Sequence, residues 1–203
     1  MAPVGRGGAL PRATARQASG KGILGMATLI RPVVLVGMMG AGKSAVGREL
    51  AQRLGVPFRD SDAEIERAAA MTIPEIFARD GEAFFRDREA EVIARLLEGP
   101  AGVLAVGGGA FLRPETRVRI RERGAAVWLK ADLALLWTRV KRKEHRPLLK
   151  TADPLGTLQA LLAAREPVYA LADLVVEVRP EAAIEVTAEQ VLAMLATRPD
   201  ILT

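Results

Sequence analysis

The 203-residue sequence contains no cysteine, which excludes disulfides and thiolate metal sites and suits a reducing compartment. Its single histidine, His145, has no triad to serve and reads as a spacer rather than a base. No apolar run is long enough to form a membrane-spanning helix, so no membrane partner is expected. Acid is missing from residues 1–32, which carry Arg6, Arg12, Arg16, Lys21 and Arg31. Removing those five from the 29 basic residues leaves 24, against all 24 acids, for residues 33–203. The formal charge of +5 therefore belongs to the N-terminal stretch and not to the body of the chain. A near-neutral body argues against nucleic acid as a partner.

Residues 1–30 are rich in Gly, Ala, Arg and Ser and lack a periodic apolar face, so we expect a disordered basic extension. It has no apolar stretch followed by a small-residue cleavage site, which argues against a secretory signal. Two readings stay open for it: an organelle transit peptide, or a start at Met26 with the preceding residues superfluous. The expected location is cytoplasmic, or an organelle if the extension is a transit peptide. Half of the residues are hydrophobic, enough for the core of one domain. We place that domain at residues 31–198, with 199–203 as a tail, and we expect a monomer.

The most informative stretch is Gly37-Met38-Met39-Gly40-Ala41-Gly42-Lys43-Ser44, which fits the phosphate-binding pattern G-x-x-x-x-G-K-[S/T]. The apolar run 33–36 before it reads as a buried strand. Residues 44–54 after it read as a helix with Val46, Leu50 and Leu54 on one face. Strand, glycine loop and helix form the context in which this motif works. Main-chain N–H groups around Gly40, Ala41, Gly42 and Ala45, with the helix N-terminus, would cradle an anion. Lys43 would reach the terminal phosphates of ATP, and the Ser44 hydroxyl would help hold Mg²⁺.

From residue 33 onward strand and helix signals alternate. Strands are expected at 33–36, 56–59, 103–106, 125–129 and 174–178. Helices are expected near 44–54, 62–69, 74–98 (broken near Asp80-Gly81), 114–123, 132–141, 154–171 and 181–196. The pattern predicts a five-stranded parallel sheet with helices on both faces, and ligands beyond the carboxyl ends of its strands. After the second strand, Asp60 and Asp62 are two apart, so an extended chain would aim both the same way. One could serve Mg²⁺ and the other could take or orient a substrate proton, and capping of the next helix is an alternative role. After the third strand comes Gly107-Gly108-Gly109, where many phosphate-loop proteins carry a metal-binding aspartate; its absence moves that duty to Asp60. Arg86 beside Phe85 could be an ion-paired surface residue or a fork for a carboxylate. The charged, proline-containing stretch 139–151 reads as a lid near 140–153 that closes over phosphates. Pro167 is expected to bend or restart the helix carrying Arg165. Trp128, Trp137 and Tyr169 read as packing residues.

Together these segments resemble shikimate kinase. The resemblance rests on 37–44, on Asp-Ser-Asp at 60–62, Phe-Phe-Arg-Asp-Arg-Glu at 84–89, Gly-Gly-Gly at 107–109, Arg-Pro-Leu-Leu at 146–149 and Arg-Glu-Pro-Val-Tyr at 165–169. It implies an α/β P-loop kinase fold of the nucleoside-monophosphate-kinase type, and ATP-dependent phosphorylation of the shikimate 3-hydroxyl. It also implies roles by position. Lys43, Asp62 and Arg146 would be catalytic. Arg139 would lie against adenine and Arg146 would swing toward the phosphates. Asp62, Arg86, Gly108 and Arg165 would bind shikimate, and Ser44 with Asp60 would serve Mg²⁺. Three rivals remain open: another small-metabolite kinase, such as one for gluconate or nucleoside monophosphates, a non-catalytic nucleotide-binding regulator, and a nucleic-acid binder driven by the basic extension.

Overall fold

The computed structural model describes residues 27–141, 149 and 151–203. Its sheet has five strands: β1 (Val33–Val36), β2 (Phe58–Asp60), β3 (Val103–Ala105), β4 (Ala125–Lys130) and β5 (Leu174–Glu177). Their spatial order is β2-β3-β1-β4-β5 and every neighbouring pair is parallel. All of β1 and β3 is buried, as continuous apolar runs in a parallel sheet should be when helices cover both faces. Among the described residues seven helices accompany the sheet: α1 (Lys43–Leu54), α2 (Ser61–Ala69), α3 (Ile73–Leu97), α4 (Pro114–Arg123), α5 (Leu133–Val140), α6 (Pro154–Tyr169) and α7 (Ile184–Leu195). A 3-10 turn at Ala110–Leu112 follows β3.

The expected elements are present, with shifted ends. The second strand begins at Phe58 rather than at residue 56, because the Val56 N–H closes the end of α1 on the Ala51 carbonyl. The expected break at Gly81 is a kink inside α3: Gly81 has φ 83° and ψ 167°, a conformation that suits glycine. Helix α6 runs through Pro167 to Tyr169. Residues 199–203, read as a tail, are packed. Ile201 and Leu202 are buried, Leu29 pairs antiparallel with Leu202, and the Ile30 N–H donates to the Ile201 carbonyl at 2.8 Å. Residues 1–26 and the centre of the expected lid, 142–148, lie outside the described residues.

Two packing units position the crevice residues. The main core joins β1, β3 and β4 to α1, α5, α6 and α7. A smaller cluster of Ile65, Ile76 and Phe85 holds α2 against α3, with Phe77 and Met71 packed on it. Helix α1 approaches the sheet closely because Gly47 presents no side chain there: a Cβ at this position would fall 2.6 Å from the Phe58 ring and 3.2 Å from Leu35. Overpacking at such a contact typically costs about 1–3 kcal/mol. Gly47→Val is therefore expected to lower the melting temperature, and Phe58→Leu in the same chain to restore part of it, read by thermal unfolding of both variants.

Candidate active site

The chain leaves β1 toward one edge of the sheet and later leaves β3 toward the other, so a crevice opens beyond the carboxyl ends of these two central strands. The phosphate loop enters it from β1 and the glycine triplet from β3. Two cavities of about 580 Å³ each lie there. They share Met39, Asp62, Gly107 and Gly108.

The first cavity is floored by residues 40–45 and flanked by Arg139 and by Val178 and Ile184 from the far side of the sheet. Gly37, Gly40 and Gly42 all have positive φ, which curls the backbone around the space where an anion would sit. Lys43 Nζ donates to the carbonyls of Gly37 and Met38 at 2.8 and 3.0 Å, which holds the ammonium across the loop. Arg139 Nη1 reaches back to the carbonyls of Gly40 and Ala41 at 3.1 and 3.3 Å. Asp60 has two duties. One oxygen caps α2 by accepting from the Asp62 N–H at 3.1 Å, and the other accepts from the Ser44 hydroxyl at 2.6 Å. The capping role and the pairing with Ser44 therefore coexist.

Asp60 ends β2, but Asp62 already belongs to α2. The two carboxylates are brought together by a strand-to-helix turn, not by the alternation of an extended chain as the sequence spacing suggested. Asp62 lines both cavities. Burial, and next the neighbouring carboxylates of Asp60 and Glu89, push its pKa up to about 6, against the opposing pull of Lys43.

The second cavity brings Asp62, Gly108, Arg86 and Arg165 together, with Phe77 and Phe85 as an apolar wall. Arg86 stands on α3, with its guanidinium 5.2 Å from the centre of the Phe85 ring and 6.0 Å from that of Phe77. It donates to Glu89 at 2.9 Å and to Glu82 at 3.0 and 3.2 Å. Burial opposes its charge, but these carboxylates hold its pKa above the ordinary arginine value. Arg165 comes from α6 and is only 8 % exposed. The glycine triplet allows side chains to lie against the backbone: a Cβ at Gly107 would fall 2.5 Å from Glu89 Oε1 and 2.8 Å from Asp62 Oδ1, and one at Gly109 would fall 2.5 Å from Arg86 Nη1. Among the described residues three buried polar side-chain atoms lack a partner, and all belong to this wall: Asp62 Oδ1, Glu89 Oε1 and Arg165 Nη1. Unpaired buried polar atoms are costly, so this wall suits a small ligand that carries both hydroxyls and an anionic group.

The structure thus gathers Lys43, Ser44, Asp60 and Arg139 around one cavity, Arg86, Gly108 and Arg165 around the other, and Asp62 between them. Arg146 lies outside the described residues. Sequence reasoning missed Glu89, which is 1 % exposed and sits behind Arg86, and whose carboxyl is raised in pKa by burial despite that partner. It was detectable as the i+3 neighbour of Arg86 on one helix. Tyr169, read as packing only, donates its hydroxyl to the Gly108 carbonyl.

Comparison with known proteins agrees with this geometry. The sequence model of the family described as "Shikimate kinase" matches residues 39–196. The chain is 65 % identical over 178 residues to a shikimate kinase of Ruegeria pomeroyi, spanning 88 % of this chain and 91 % of that one. It is 61 % identical to the shikimate kinase of Cereibacter sphaeroides over 87 % and 88 % of the two chains. Among solved structures, shikimate kinase from Acinetobacter baumannii in complex with shikimate superposes with a TM-score of 0.79 at 40 % identity, covering 82 % of this chain and 93 % of that one.

The crowded carboxylates make stability depend on pH. The folded protein binds the Asp62 proton more tightly than the unfolded chain, whose Asp titrates near 3.8, so stability falls as pH rises from about 3.8 to about 6 and the loss is fully present above that. Asp62→Asn is expected to melt at a higher temperature than the parent at pH 8. The gap should shrink as pH falls through 6 toward 4. Thermal unfolding of both proteins at a series of pH values checks the sign.

Proposed function

The chain belongs to the shikimate kinase family, and from that premise we propose how its own residues transfer a phosphoryl group from ATP to the 3-hydroxyl of shikimate. The observation that carries the reading is the position of Asp62, which lines both cavities where they meet. ATP takes the first cavity, with its phosphates on the amides of residues 40–45 and its base beside Arg139. Shikimate takes the second. Its carboxylate lies between the guanidinium groups of Arg86 and Arg165, its ring lies against Phe77 and Phe85, and its hydroxyls face Asp62 and the Gly108 backbone.

The 3-hydroxyl oxygen then forms a bond to the γ-phosphorus while the bond from that phosphorus to the β–γ bridging oxygen breaks, which releases ADP. The hydroxyl proton passes to the Asp62 carboxylate. A carboxyl raised to about 6 remains ionised at neutral pH and is a stronger base than an exposed aspartate. Lys43 and Arg146 meet the charge on the transferring group. An arginine in that role contributes about 10³–10⁵ in rate in well-studied phosphoryl transfers. The Ser44 hydroxyl and the Asp60 carboxylate are hard oxygen donors at the phosphate rim, and they suit Mg²⁺, which keeps most of its shell as water and phosphate oxygen. When bound, that ion would neutralise phosphate charge and help align the donor. We place the enzyme in the cytoplasm, a setting that supplies ATP, and expect it to act as a monomer.

Release of ADP, coupled to a spectroscopic readout, should depend on shikimate. Gluconate and nucleoside monophosphates should not replace it. If no shikimate-dependent ADP appears, the reading fails. Arg86→Lys should raise the KM for shikimate at least tenfold and leave that for ATP near its parent value, because an ammonium cannot reproduce a bidentate fork. The second check is pH: kcat/KM for shikimate should fall as pH drops below about 6, where Asp62 takes up its proton. An Asp62→Asn protein should show low activity with no inflection there.

A further inference from the structure

One buried polar side chain takes no part in the transfer itself. Tyr169 is 1 % exposed and ends α6, one turn beyond Arg165. Its ring lies beside Trp128 of β4, with centroids 6.0 Å apart, which by itself would make it a packing residue. Its hydroxyl, however, donates to the Gly108 carbonyl and also lies 3.8 Å from the Met38 sulfur. One hydroxyl therefore touches both loops that build the crevice, the triplet after β3 and the phosphate loop after β1. The loops are close at the same point: a Cβ on Gly108 would fall 3.5 Å from the Met39 amide nitrogen, 3.6 Å from the Gly37 carbonyl and 3.8 Å from Arg165 Nη1.

We propose that Tyr169 is a positioning residue for the acceptor substrate: its hydroxyl fixes the Gly108–Gly109 peptide at the junction of the two cavities, one helical turn from Arg165. The peptide unit is planar and trans, so holding the Gly108 carbonyl toward the tyrosine turns the Gly109 N–H the opposite way. The Gly107 N–H donates to the Ser61 hydroxyl, and the Gly107 and Gly109 carbonyls accept from the Ala110 and Leu112 N–H groups, so the Gly108 carbonyl is the triplet acceptor that the tyrosine holds. Burial raises the Tyr169 pKa, which keeps the phenol protonated and able to donate throughout the working range. The same helix turn places Arg165 four residues earlier, so the tyrosine aligns a main-chain contact and a guanidinium contact to one ligand. This proposal rests on the reading that Gly108 and Arg165 hold shikimate.

Steady-state kinetics of Tyr169→Phe test it, because that change removes the hydroxyl and keeps the ring. Expected are a melting temperature within a few degrees of the parent, an increase in shikimate KM of about tenfold, and an ATP KM within about twofold. Tyr169→Leu, which also removes the ring, should add a marked loss of melting temperature. A Tyr169→Phe protein with parental KM for shikimate overturns the proposal, as does one in which both KM values rise together with a large drop in melting temperature. The underlying reading is judged separately. If the parent enzyme responds to shikimate and Arg86→Lys raises its KM while Tyr169→Phe does not, only the tyrosine proposal falls. If the parent shows no shikimate-dependent ADP release, both fall.

Discussion

The pairing on which the rest of this structure depends is that of β1 with β3. They are neighbours in the centre of the sheet, parallel, with Leu35 level with Ala105. Each ends in a glycine-rich loop, and the register brings those loops side by side. A phosphate loop alone binds nucleotide, and a glycine triplet alone is an ordinary tight turn. Set edge to edge they form two cavities with a common wall, and a group in one can reach a group in the other. The chain must cross over β3 to form β2 and return, and that topology also delivers Asp60 and Asp62 to the same rim.

Charge is the second constraint. Asp62 and Glu89 are carboxylates placed against the backbone of Gly107, with Asp60 close by. Bringing such groups together out of water is unfavourable, and the raised pKa values of Asp62 and Glu89 express that cost. Lys43 and Arg86 offset part of it. The remainder suits the base role proposed for Asp62: a carboxylate held away from full solvation, with Lys43 near enough to favour its ionised form but not paired so tightly that it cannot take a proton. Stability and basicity conflict at this residue, as is common where chemistry is done.

Much of this was legible in the sequence, because the relevant residues follow strands whose apolar runs are short and well marked. The phosphate loop, Asp60, the glycine triplet and the kink at Gly81 could all be read from local pattern. The relation between Asp60 and Asp62 could be read only in part: the residues were right, but the geometry came from a helix cap instead of strand alternation. Glu89 and Tyr169 stayed hidden for a different reason. Each sits one turn along a helix from an arginine already singled out, in a position that looks like surface charge or core aromatic until the loop it meets is known. The glycines they lie against, Gly107 and Gly108, are distant in sequence and offer only backbone, which carries no side-chain signature. Local periodicity reports the element a residue belongs to, and it does not report which remote backbone atom that element will touch.

The carboxylate fork proposed for Arg86 and Arg165 would depend on such hidden contacts. Arg86 belongs to the small α2–α3 unit with its own cluster of Ile65, Ile76 and Phe85, while Arg165 belongs to α6 on the main core. Two guanidinium groups from separate packing units can grip one carboxylate only if those units keep their spacing to within a few tenths of an ångström. The exposed Arg113–Asp87 pair ties α3 to the start of α4 at 2.9 Å, but a solvated pair of this kind contributes little. The buried contacts are better suited to the task. Glu89 pairs with Arg86 beside Gly107, where a side chain would leave it no room, Arg86 itself lies against Gly109, and Tyr169 ties Gly108 to the turn that carries Arg165. The triplet thus works as a gauge block between the units. Each of its three residues meets a side chain from α3 or α6, and a Cβ at Gly107 or Gly109 would drive that side chain away. Glycine is needed at those two positions because any side chain there would displace Glu89, Asp62 or Arg86 from the shared wall.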